Sequence, residues 1–115
     1  MTNRRRLLGA AGEEAVAAWY NREGYRVLDR NWRCAAGELD VVAGKGGVVV
    51  FCEVKTRSST AFGVPAEAVT PTKQARLRHL AAQWLAEHRG SGYREVRFDV
   101  ASVLAGQVEV LEGAF

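Results

Sequence analysis

The sequence contains few of the residues that mark disulfide-rich, membrane or secreted proteins. Only two cysteines, Cys34 and Cys52, occur in 115 residues; they lack the spacing of zinc ligands, so we interpret them as reduced intracellular thiols. No apolar run approaches the roughly 20 residues of a membrane-spanning helix. The apolar stretch after Arg6 meets Glu13 and Glu14 before it is long enough for a signal peptide. These absences predict a cytoplasmic protein with no membrane partner.

A strong excess of charge is also absent, because 16 basic and 13 acidic residues leave a net charge of +3. This mild excess, carried mostly by arginine, permits an anionic partner such as nucleic acid but does not demand one. No internal repeat, linker or low-complexity tract divides the chain. A chain of 115 residues can bury a hydrophobic core without disulfides, so the sequence predicts a single domain over residues 1–115.

Hydrophobic periodicity predicts two helices and five strands. Apolar residues at helical spacing indicate a helix over 5–23, and Thr70 followed by Pro71 begins a second helix that Gly90 ends. Segments suited to strands are 25–33, the hairpin 37–57, 93–103 and 107–111. A helix between the third and fourth strands implies a right-handed crossover and a parallel pair. The predicted fold is α/β, with a mixed central sheet flanked by helices.

The hairpin 37–57 carries charged residues inside both of its strands. Glu38 and Asp40 lie in the first strand, and Glu53 and Lys55 in the second. Side chains alternate faces along a strand, so each pair shares a face. A turn centred on Lys45-Gly46 would pair Gly44 with Gly47 and place Glu38 opposite Glu53, which brings all four groups together. A slip of one residue would separate them.

The acidic residues have two explanations from sequence alone. They could be edge-strand charges that oppose aggregation, and Glu13 could reflect the preference of acidic residues for the first half of a helix. However, two like charges about 5 Å apart repel by about 3 kcal/mol at an effective dielectric constant near 20. A divalent cation or a protonated carboxylate would relieve that repulsion. Since no histidine or cysteine converges there, oxygen ligands would favour Mg²⁺ or Mn²⁺ over zinc.

Two segments resemble a known nuclease signature. Gly37–Asp40 followed by Glu53–Arg57 resembles the PD-(D/E)XK pattern, in which an acidic residue precedes an acid-x-Lys element, although Leu39 replaces the proline. The whole chain is similar to the YraN family of small bacterial proteins, through a set of short motifs. These are Gly12-Glu13, Asn31-Trp32-Arg33-Cys34, Gly37–Asp40, Phe51–Arg57, Lys73-Gln74, Arg97-Phe98-Asp99 and Ala114-Phe115.

The resemblance implies a restriction endonuclease-like αβββαβ core, similar to that of archaeal Holliday-junction resolvases, and a role for each matching residue. Asp40, Glu53 and Lys55 would be catalytic. Asp40 and Glu53 would hold Mg²⁺ or Mn²⁺ together with the carbonyl of Val54 and with Glu13, and Glu38 and Gln74 would be auxiliary. The residues expected to contact backbone phosphates are Arg33, Arg57, Lys73 and Arg76.

Three functions are compatible with this pattern. The first is a metal-dependent endonuclease acting on DNA, in particular on branched or structured DNA, for which a two-fold homodimer would suit cleavage of two strands. The second is a catalytically inactive nucleic-acid-binding module that works in repair or recombination. The third is a protein-interaction role in which the acidic residues are incidental. Residues 58–70, which show no clear period, predict a loop that could act as a lid or binding loop.

Overall fold

A computed structural model describes residues 2–57 and 69–115, with side chains from Leu8 onward. Most of the loop predicted at 58–70 therefore lies outside the described residues. Within these ranges the elements are α1 (Thr2–Arg22), β1 (Arg26–Cys34), β2 (Gly37–Lys45), β3 (Val48–Arg57), α2 (Pro71–Glu87), β4 (Glu95–Leu104) and β5 (Gln107–Leu111). No helix in the described part of the chain has the length and apolar character needed to span a membrane.

The predicted start of the second helix is confirmed. The side chain of Thr70 accepts a hydrogen bond from the Lys73 amide, and Pro71 occupies the first turn. This cap satisfies one of the amides that a helix start leaves without an intrahelical partner. The helix ends at Glu87, earlier than the predicted stop at Gly90, because His88 already has a non-helical backbone and caps the last turn.

The sheet is mixed, as the element order predicts. The strands follow one another in space as β1-β2-β3-β4-β5. The pairs β1–β2, β2–β3 and β4–β5 are antiparallel, whereas β3–β4 is parallel. The parallel pair arises because α2 carries the chain from the end of β3 back to the start of β4.

One helix covers each face of the sheet. Val16 and Tyr20 of α1 pack with one set of strand residues: Val41, Ala43, Val50, Cys52, Ala101 and Val103. The buried residues of α2, including Leu80 and Trp84, pack with another: Leu39, Val42, Val49, Phe51 and Val100. The central strands are thus apolar on both faces, as a sheet covered on both sides requires.

The hairpin register differs from the predicted one by two residues. Lys45 pairs with Val48, so the turn is Gly46-Gly47, and Gly44 pairs with Val49 instead of with Gly47. The predicted pairing of Gly44 with Gly47 is therefore wrong. A shift by two residues moves each side chain along the strand without changing its face. Asp40, Glu53 and Lys55 therefore still come together, whereas Glu38 leaves the predicted shared face and meets Glu13 of α1.

Candidate functional site

The candidate site lies where β2 and β3 separate. Among the described residues, the last pair between these strands is Val41 with Cys52. Beyond it β2 remains paired with β1, and β3 remains paired with β4 as far as Arg57. In the opening, the Val54 amide donates a hydrogen bond of 2.9 Å to Oδ2 of Asp40. A carboxylate thus replaces the neighbouring strand as the acceptor for this amide.

Asp40 and Glu53 share a proton. Burial, the hydrogen bond to Glu53 and the charge of that residue together raise the pKa of Asp40 to about 8. Burial acts to raise the pKa of Glu53 as well, but hydrogen bonds from Asp40 and Lys73 outweigh it and lower that pKa. Near neutral pH the proton therefore resides on Asp40, which donates to an ionised Glu53.

Two lysines neutralise the Glu53 carboxylate, which is only 8% exposed. Nζ of Lys73 lies 2.6 Å from Oε2 of Glu53, and Nζ of Lys55 lies 3.6 Å from the same oxygen. Burial and the neighbouring Lys73 lower the pKa of Lys55. The sequence predicts Lys73 on the inward side of the first turn of α2, as a residue that contacts backbone phosphates. The structure places its ammonium group nearer to Glu53 than that of Lys55, and the phosphate contact stays a prediction.

A second group of carboxylates meets at Asp40. One oxygen from each of Glu13, Glu38 and Asp40 lies within 4.8 Å of the others. Burial raises the pKa of Glu13, although a hydrogen bond from Asn31 opposes the shift. Glu38 forms an ion pair of 2.6 Å with Nε of Arg33. Asp40 thus belongs to both groups of carboxylates. Glu53 lies on one side of it, and Glu13 of α1 and Glu38 of β2 lie on the other.

The remaining predicted residues lie around this centre. Nε2 of Gln74 donates to the carbonyl of Val69 at 3.1 Å, which braces the start of α2. Arg76 is exposed on α2 and passes close to Gly37, at the start of β2. Arg57 is the last residue of β3. For these residues the auxiliary and phosphate-binding roles stay predictions, as does metal ligation by the Val54 carbonyl.

Asn31 is a residue of the site that sequence reasoning missed. It has φ of +52° in the middle of β1, and its side chain reaches Glu13. Asparagine is depleted in strands but tolerates left-handed backbone better than most residues. An asparagine inside an otherwise strand-like segment was the available signal.

Asp99 performs the internal hydrogen bonding predicted for it. Its side chain is fully buried and accepts hydrogen bonds from Tyr20 Oη at 2.5 Å, from two guanidinium nitrogens of Arg97 at 2.9 Å, and from the Gly113 amide at 3.0 Å. These bonds join α1, β4 and the segment after β5, outside the carboxylate groups described above.

Comparison with known proteins shows the family. Residues 12–103 match the model of the uncharacterised protein family UPF0102. A UPF0102 protein of Beutenbergia cavernae is 57% identical over 111 residues, covering 92% of this chain and 93% of the relative. One from Moorella thermoacetica is 50% identical over 122 residues and covers all of both chains. These matches confirm the family level of the YraN resemblance and carry no statement of activity. The chain belongs to the uncharacterised protein family UPF0102.

Proposed function

We propose that the protein is a divalent-metal-dependent endonuclease that hydrolyses phosphodiester bonds in DNA, with branched or structured DNA as its substrate. One observation carries the proposal: Asp40, Glu53 and Lys55 meet where β2 and β3 separate. The element order α1-β1-β2-β3-α2-β4 also agrees with the αβββαβ core of PD-(D/E)XK nucleases, which supports the same conclusion at the level of the fold.

The donor atoms fit Mg²⁺ or Mn²⁺. Asp40, Glu53 and the neighbouring Glu13 supply carboxylate oxygens, the ligands that these hard cations prefer. Positive charge already occupies the same places, as a proton on Asp40 and an ammonium group on Glu53. This proton and this ammonium group balance the negative charge of the two carboxylates. A divalent cation bound there would balance the same charge.

Lys55 is the residue best suited to proton handling. Its lowered pKa eases the exchange of a proton with a nearby water, and its ammonium form would stabilise charge that develops on a phosphate oxygen. Mg²⁺ bound at this site would polarise the scissile phosphate and lower the pKa of a bound water. Arg33, which is 78% exposed, and Arg76 would hold backbone phosphates beside the carboxylates.

A second candidate is a nucleic-acid-binding module without turnover. The observation that favours it is that Asp40 and Glu53 are already satisfied by a shared proton and by Lys73. Repulsion between carboxylates, which from sequence argues for a metal, is relieved in this arrangement without one. This candidate predicts DNA binding that weakens as salt rises, and no cleavage in Mg²⁺ or Mn²⁺.

A cleavage panel separates the two candidates. Purified protein is incubated with junction, flap, single-stranded and duplex DNA in Mg²⁺, Mn²⁺ or EDTA. We expect metal-dependent cleavage that falls by at least about 100-fold in Asp40→Asn and Lys55→Ala. Lys45→Ala is the matched control, because this exposed lysine lies beside the hairpin turn and donates to the Glu23 carbonyl. Cleavage that survives both site substitutions refutes the nuclease. Salt-dependent binding by an inactive wild type supports the second candidate.

A further inference from the structure

The carboxylates converge because the regular alternation of side chains between the two faces of the sheet is interrupted at one position in β1 and at the position opposite it in β2. Val41 packs on the α1 side and Leu39 on the α2 side, although strict alternation would place both on the same face. Arg30 pairs with Val41, and Trp32 pairs with Leu39. Since directly opposed residues point to the same side, β1 changes faces together with β2, between Arg30 and Trp32.

Asn31 and Asp40 occupy these two positions. Asn31 lies between the pairs Arg30–Val41 and Trp32–Leu39 and is therefore directly across from Asp40. Its φ of +52° is outside the range of strands. A residue in this conformation interrupts the alternation of side chains along β1. Glu38, adjacent to Leu39, consequently points toward α1, where its oxygen approaches that of Glu13.

The side chain of Asn31 completes the same arrangement. It lies near the Glu13 carboxylate, and hydrogen bonding from its amide opposes the rise that burial causes in the pKa of Glu13. A left-handed non-glycine residue costs about 1–3 kcal/mol and persists only where its surroundings enforce it. The described ranges contain one other such residue, Ala105, in the turn between β4 and β5.

We propose that Asn31 is the positioning residue of the site: its left-handed backbone turns Glu38 toward α1, and its amide holds Glu13 beside Asp40. The role in metal binding rests on the proposed function. The left-handed backbone of Asn31 and the meeting of Glu13 with Asp40 do not, because the metal-free geometry contains both. Asn31 is not a catalytic residue, since it acts on substrate or metal only through the carboxylates.

Three substitutions separate the two contributions of Asn31. Asn31→Gly retains the left-handed backbone and removes the amide, whereas Asn31→Ala removes the amide and also makes that backbone more costly. Ala105→Gly is the matched control, since it relieves the same backbone conformation far from the carboxylates. Mn²⁺ affinity is measured by calorimetry, and stability by the midpoint of urea denaturation in EDTA. A double-mutant cycle combines Asn31→Gly with Glu13→Ala.

We expect Asn31→Gly to weaken Mn²⁺ binding by about 10-fold or more, the range found for partners that orient metal ligands. Asn31→Ala should also lower the denaturation midpoint below that of Asn31→Gly, and Ala105→Gly should leave Mn²⁺ affinity unchanged. The midpoint shift caused by Asn31→Gly should become smaller in the Glu13→Ala background. Unchanged Mn²⁺ affinity in Asn31→Gly overturns the inference.

If the wild-type protein binds no Mn²⁺, the proposed function is refuted. The double-mutant cycle then still tests whether Asn31 contacts Glu13. Non-additive midpoints in that case support the contact between Asn31 and Glu13, and additive midpoints overturn it. The two failures are therefore distinguishable.

Discussion

The proton shared by Asp40 and Glu53 makes the stability of the protein depend on pH, and Asp40→Asn should remove that dependence. The pKa of Asp40 rises from 3.8 to about 8 in the folded protein. Between these values the folded state holds a proton that the unfolded state has lost. The resulting stabilisation is complete below about pH 4 and is lost as the pH rises through 8.

The expected magnitude follows from the same pKa. One proton changes the free energy of unfolding by about 1.4 kcal/mol per pH unit, so wild-type protein should lose about 2.5 kcal/mol between pH 5 and pH 7 from this source. An asparagine amide at position 40 can donate to Glu53 as the protonated carboxyl does, and it does not titrate. The free energy of unfolding of Asp40→Asn should therefore fall less steeply over this interval, by up to that amount.

Guanidinium denaturation at pH 5, 6, 7 and 8, followed by tryptophan fluorescence in EDTA, measures this slope. Glu109→Gln is the matched control, because it makes the same chemical change on an exposed position of β5. Its curve should remain parallel to that of the wild type. If Asp40→Asn is also parallel to the wild type, the two carboxyl groups do not share a proton, and the electrostatic description of the site is wrong.

Three further predictions concern the packing that supports the site. Gly12→Ala should destabilise the protein by about 2 kcal/mol or more, because the new methyl group would lie 2.0 Å from Oγ1 of Thr56; thermal denaturation should show partial recovery with Thr56→Ala, and no recovery would argue against this contact. Tyr20→Phe should cost about 1–3 kcal/mol by removing a donor to the buried Asp99, and urea denaturation with an unchanged midpoint would contradict this. Thr70→Ala should cost about 1 kcal/mol through loss of the α2 cap; Thr70→Ser, which retains the oxygen, should preserve the denaturation midpoint.

Much of the fold could be predicted because its signals are local. The Thr70-Pro71 start of α2 depends on a single side chain and a fixed φ, so it can be recognised in the sequence. The parallel pairing of β3 with β4 follows from one intervening helix. The hairpin register was predicted two residues out because four consecutive residues, 44–47, offered several turns. The even shift explains why Asp40 nevertheless meets Glu53 and Lys55.

The candidate site was harder to predict, because its details depend on contacts between distant elements. The sequence predicts that Lys73 lies on the inward side of the first turn of a helix, but it does not identify Glu53 as its partner. Its ion pair with Glu53 exists because α2 packs across β3 at this height. Likewise, nothing near Asn31 in the sequence indicates that it lies opposite Asp40 and bonds to a residue of α1.

The sequence by itself determined the element order, the mixed sheet and the placement of acidic residues and a lysine on the central hairpin, since these follow from hydrophobic periodicity and turn residues. Only the tertiary structure decided which carboxylate holds the proton, which lysine is nearer to Glu53, and where the strands change faces. The physical reason is that burial and through-space charge set pKa values and ion pairs. Both quantities depend on how α1 and α2 lie against the sheet, and no local pattern encodes them.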